Sequence, residues 1–175
     1  GPVRSGPSSL VVFAGDLETV EAAAGLGPGV ARIIFGGESF LPGAIWDETS
    51  LARAVVACRQ AKISPVLALP RITREREAER VETYLEISRR YPPDGVLVSH
   101  PGSYQLVREE TGLPLYINYT LYTFNTAAGF FWAGDPRVRG FTLSPELSAV
   151  ELEPFLPPGG FPDWNWRSWF SPLWN

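Results

Sequence analysis

Six short apolar runs recur along the 175-residue chain, each separated from the next by a stretch long enough for a helix. The runs are Leu10–Ala14, Val30–Phe35, Pro65–Leu69, Val96–Val98, Pro114–Asn118 and Gly140–Leu143. The intervening segments carry helix signals. Asp16 can cap a helix over Leu17–Ala24 that Gly25 stops, and Asp47 or Thr49 opens another that runs to about Ala61. Thr73 caps a third, to about Arg90. Ser103–Thr111 reads as a short fourth that Gly112 stops, and Asn125 caps a fifth that ends near Gly134. Ser148 and Glu151 form a capping box for a last short helix, cut by Pro154. Strict strand–helix alternation argues for right-handed βαβ units and therefore a parallel sheet. A full eight-unit barrel takes about 250 residues. The expected fold is therefore α/β: an incomplete or modified TIM-like (βα) barrel of six parallel strands alternating with helices.

Within that rhythm the segment Arg32–Phe40 is the most informative. Ile33-Ile34-Phe35 suits a strand buried on both faces. Gly36-Gly37 permits a tight turn, and the polar pair Glu38-Ser39 follows at the strand's carboxyl end, where α/β folds carry their sites. On the helix predicted from Asp47, Leu51, Ala54, Val55 and Cys58 share one face, which makes Cys58 a core thiol. The run Thr73–Arg80 alternates in sign and reads as a solvated helix face with pairs such as Arg76 and Glu79, not as a nucleic-acid patch. Val81, Tyr84 and Leu85 face the core from the same helix.

The chain divides into a leader or tag remnant at 1–9, a partial barrel over 10–156, and a Pro/Trp-rich tail at 157–175. The tail holds Trp164, Trp166, Trp169 and Trp174. It is expected to cover an open barrel edge, form a homodimer, or contact the rest of a parent chain. A formal net charge of −4 gives no general attraction to nucleic acid or anionic membrane. No apolar run is long enough to span a bilayer, and no signal peptide opens the chain, so a cytoplasmic protein is expected. Cys58 is the sole cysteine and His100 the sole histidine. One chain therefore cannot form an internal disulfide, an HExxH zinc site or a multi-cysteine cluster, and no metal or cofactor is expected.

Polar groups at strand carboxyl ends converge on one mouth in a barrel. Here they are Asp16, Glu38, Arg71, His100, Asn118, Tyr119 and Glu146. Glu38 and His100 are the candidate acid–base pair. Arg71 is suited to an anionic group such as a substrate carboxylate, through its planar fork. Asp16, Asn118, Tyr119 and Glu146 complete the candidate substrate-binding set, although Asp16 and Glu146 also fit simple helix-entry roles. Ser99 lacks the Gly-x-Ser-x-Gly elbow of a nucleophile. The expected ligand is a peptide or a small anion.

Five segments in register resemble the collagenase-like peptidases of family U-32. They are Ala14-Gly15-Asp16-Leu17-Glu18, Gly36–Phe40, Asp94–Ser99, Asn125-Thr126 and Leu143–Leu147. Order and spacing agree from about Leu10 to Phe155. The resemblance implies a modified (βα)₈ barrel and a bacterial-type peptide hydrolase. It also admits kinship with members tied to hydroxylation of RNA or of a quinone precursor. The family's Val-His-Gly segment and cysteine cluster follow the sixth unit, where this chain has Pro157–Asn175 instead. His100 follows the fourth strand and does not match that histidine. The expectation is thus a U-32-like domain without independent activity, or alternatively a non-catalytic barrel module for partner binding or assembly in a larger U-32 protein.

Overall fold

A computed structural model describes residues 10–37, 46–70, 75–152 and 155. Strands β1 (Leu10–Ala14), β2 (Val30–Gly36), β3 (Ser64–Ala68), β4 (Gly95–Val98), β5 (Leu115–Ile117) and β6 (Val138–Phe141) lie in one sheet in sequence order. Every neighbouring pair is parallel, and the sheet curls into part of a barrel. Helices α1 (Leu17–Gly25), α2 (Glu48–Gln60), α3 (Glu75–Arg90), α4 (Pro101–Glu110), α5 (Thr126–Ala133) and α6 (Ala149–Leu152) alternate with the strands. The incomplete (βα) barrel expected from the alternation is the observed fold. Among the described residues no helix is long and apolar enough to cross a membrane.

Strand parity divides the apolar residues between two clusters. Ile33, Phe35, Leu67, Val96, Val98, Leu115 and Ile117 point outward and pack beneath the helices, where they meet Val20, Leu51, Ala54, Val55, Cys58, Val81 and Leu85. The residues between them, Ile34, Val66, Leu97 and Tyr116, form a second cluster on the concave face. Cys58 is fully buried, and burial pushes its thiol up to about 11. The Arg32 guanidinium lies 4.7 Å from the centre of the Tyr116 ring, a cation–π contact inside the curl. Burial raises the Tyr116 phenol above its ordinary value.

Two glycines are required by close approach. Gly36 has φ +88°, and a Cβ there would lie 2.9 Å from the Ala68 carbonyl oxygen. At Gly95 a Cβ would meet Tyr116 Cε2 at 2.5 Å, so the missing side chain is the space that the tyrosine ring fills.

Local chemistry sets the helix starts. Asp47 caps α2, with Oδ1 accepting from the Ser50 N–H at 2.8 Å and Ser50 Oγ accepting from the Asp47 N–H at 2.9 Å, so Asp47 rather than Thr49 is the cap. Ser148 and Glu151 bond reciprocally at the start of α6, as their spacing requires. The Asn125 side chain accepts from the Ala128 N–H at 2.9 Å and opens α5. Thr73 and the Arg76 side chain lie outside the described residues.

At the end of the barrel opposite the strand carboxyl ends, Asp135 locks α4 to the α5–β6 turn. It accepts from Tyr104 Oη at 2.7 Å and from the Arg137 N–H at 2.9 Å, and it pairs with Arg108 at 3.3 Å. Burial alone would raise its carboxyl. These hydrogen bonds and the charges of Arg137 and Arg108 outweigh that and hold it below the ordinary aspartate value.

Candidate functional site

The strand register builds a polar row at the carboxyl end of the sheet. Val98 lies beside Ile117, and Ile117 beside Phe141. The residues that follow, Ser99, Asn118 and Thr142, therefore stand side by side. The backbone bonds Asn118 N–H to Val98 O at 2.9 Å and Thr142 N–H to Ile117 O at 2.8 Å continue the ladder to this level. By parity all three share the concave side with Leu97 and Tyr116, one step nearer the mouth.

Hydrogen bonds hold the row in place. Asn118 Nδ2 donates to Ser99 Oγ at 2.9 Å, and Asn118 Oδ1 accepts from the Tyr119 N–H at 2.8 Å. Thr120 Oγ1 donates to the Ser99 carbonyl at 2.8 Å, which ties the loop after β5 to the end of β4. By the usual inventory Asn118 keeps one N–H and one carbonyl lone pair, and Ser99 keeps its O–H. Thr142 Oγ1 is buried and has no hydrogen-bond partner among the described residues. Burying such a hydroxyl without any partner costs about 1–3 kcal/mol.

No charge accompanies the row on its own unit. From Thr111 to Gly134 the chain has no Asp, Glu, Lys, Arg or His. The β5–α5 unit offers hydroxyls, amides and aromatic rings, and it suits a neutral hydrogen-bonding ligand, which loses less on desolvation than an ion does.

His100, one residue beyond Ser99 at the end of β4, is the N-cap of α4. Its Nδ1 accepts from the Gly102 N–H at 3.0 Å. A neutral imidazole accepting at Nδ1 carries its proton on Nε2, so in this arrangement the ring has no free lone pair to act as a base. Sequence reasoning began this helix at Ser103, but it begins at Pro101. Proline suits the first helical turn, where its missing N–H has no partner to lose, and histidine is an uncommon cap, so the signal was weak.

The other candidates are spread along the mouth. Asp16 caps α1, accepting from the Thr19 N–H at 2.8 Å, and that backbone bond holds its carboxyl below the ordinary value. It follows β1, four strands from Asn118, a separation of up to roughly 19 Å along the sheet at about 4.8 Å per strand. Tyr119 opens a 3₁₀ turn (Tyr119–Leu121) beside Asn118 and is half-buried. Glu146 is exposed, and its N–H reaches Ser144 Oγ at 3.3 Å. Glu38 and Arg71 lie outside the described residues, one position beyond Gly37 and Pro70. The structure thus brings together Ser99, Asn118, Tyr119 and Thr120, with Thr142 beside them, and leaves Asp16 apart. Sequence reasoning missed Thr120 and Thr142. Counting parity outward from Asn118 across neighbouring strands would have found Thr142, but that requires the register.

Among the described residues no three His, Cys, Asp or Glu side chains gather as metal ligands would. Neither the known protein-family models nor the curated proteins include a match to this chain.

Proposed function

We propose that this chain is a peptide-binding barrel domain of the U-32 type, acting in the cytoplasm, that holds its ligand at the carboxyl ends of β4–β6 without hydrolysing it unaided. The observation that carries this reading is the Ser99–Asn118 pair, hydrogen-bonded across adjacent strands at 2.9 Å. It leaves an N–H donor and a carbonyl acceptor on one side chain, a pattern that matches a peptide amide. The (βα) alternation supports the family resemblance at the level of fold alone. Hydrolysis by Glu38 and His100 is the weaker reading, because the His100 Nδ1 lone pair is already committed to Gly102. A homodimer or a contact with a parent chain through Pro157–Asn175 belongs to the same proposal.

The test pairs binding with turnover. Blocked peptides should bind without being cleaved, Asn118→Ala should weaken binding, and light scattering should report the assembly. Absence of binding overturns the reading. Turnover that disappears in both Glu38→Gln and His100→Ala would instead establish the hydrolase.

A further inference from the structure

Immediately after Asn118 the chain makes an unusual turn. Tyr122 adopts the left-handed region, with φ 56° and ψ 53°. That conformation is uncommon for a residue other than glycine, asparagine or aspartate, and such strain recurs at ligand clamps. The turn is pinned on both sides, because the Tyr122 N–H bonds to Tyr119 O at 2.9 Å and the Phe124 N–H bonds to Tyr122 O at 3.0 Å. It stacks the Tyr122 ring on Phe124, with centroids 5.6 Å apart and planes 13° from parallel. Yet the tyrosine is 71% exposed. The left-handed turn and the stack thus present a large flat ring at the surface, where a ligand can reach it.

We propose that Asn118 and the Tyr122–Phe124 stack form one subsite, which takes an uncharged peptide segment bearing an aromatic side chain. The main-chain amide pairs with the free N–H and carbonyl lone pair of Asn118, and the aromatic side chain extends the stack on Tyr122. The spacing fits. The three residues of the 3₁₀ turn between Asn118 and Tyr122 rise about 6 Å, within the reach of two residues of extended peptide. The absence of charge over Thr111–Gly134 fits a neutral ligand. The inference rests on the peptide-binding reading and specifies which peptides satisfy it.

The test uses N-acetyl-phenylalaninamide as probe, with N-acetyl-alaninamide and cellobiose as comparisons, followed by amide NMR shifts of the full chain. The aromatic amide should perturb residues 118–125 and bind more tightly than the alanine compound. Tyr122→Gly removes the ring from a site where glycine has no strain. It should weaken the aromatic probe about fivefold or more, while the melting temperature holds or rises. Tyr122→Asn, which also tolerates the left-handed region, is the second variant should the first not fold. Wild-type affinity in a folded variant, or a fall in melting temperature in both, overturns the proposal and makes the ring structural. Perturbation confined to other residues overturns the subsite while leaving peptide binding standing, and no response to either amide overturns both. Tyr122-dependent binding of cellobiose alone would make the ligand a glycan and refute the peptide assignment.

Discussion

Replacing Gly95 with alanine tests how the concave face is packed beneath the mouth. Gly95 is not among the glycines with positive φ, so alanine can adopt its backbone conformation. Alone, such a change would stabilise by about 0.4–1 kcal/mol through the unfolded chain. The new methyl would, however, sit 2.5 Å from Tyr116 Cε2 and 3.0 Å from the Pro114 carbonyl oxygen. The carbonyl belongs to the strand ladder, since it accepts from the Val96 N–H at 2.9 Å, and can give little. The ring is buried among Ile34, Val66 and Leu97, with Arg32 over it, so it cannot swing freely. Overpacking of this kind costs about 1–3 kcal/mol. Set against the entropic gain, a net loss of about 1–2 kcal/mol is expected, or a fall in melting temperature of roughly 2–8 °C at this chain length. Urea unfolding of Gly95→Ala, Tyr116→Leu and the double variant measures the coupling. With the ring gone only the Pro114 carbonyl contact at 3.0 Å remains, so Gly95→Ala should cost clearly less than in the wild type. Additive losses in the double variant would refute the argument, because the clash would then not lie with Tyr116.

Three further outcomes are expected. His100→Ala should cost about 1 kcal/mol as a lost N-cap, and His100→Asn should restore most of it in chemical denaturation; full destabilisation by the asparagine would remove the capping role. The Asp135 carboxyl is held below its ordinary 3.8, so its contribution to stability is complete above that value and is lost as pH falls through the lower folded value. The wild type should accordingly lose stability faster than Asp135→Asn as the pH drops below about 4, and parallel pH profiles would contradict this. Cys58, buried and pushed up to about 11, should react with a thiol reagent only at the rate of unfolding, so rapid labelling of the native chain would show that the helix face is open.

Much of the fold was legible because its signals are local. Alternating apolar runs and caps at Asp16, Asp47, Asn125 and Ser148 depend on residues within four positions of one another, and α2 buries Leu51, Ala54, Val55 and Cys58 as their spacing requires. The start of α4 was misread because Pro101 and His100 are a weaker helix signal than Ser103. Asn118 and Tyr119 were identified as residues following a buried run, a local property as well. The predicted placements of Glu38, Arg71 and the tail fall outside the described residues.

By itself the sequence determined the alternation, the parallel sheet and the absence of charge from Thr111 to Gly134, since each can be read along the chain. Only the tertiary structure decided that Ser99, Asn118 and Thr142 form one row, that Gly95 makes room for Tyr116, and that the His100 ring is spent on a cap. The physical reason is register. Which residue of one strand stands beside which residue of the next is set by packing between segments some 20 residues apart, and a shift of one position would turn every side chain to the opposite face.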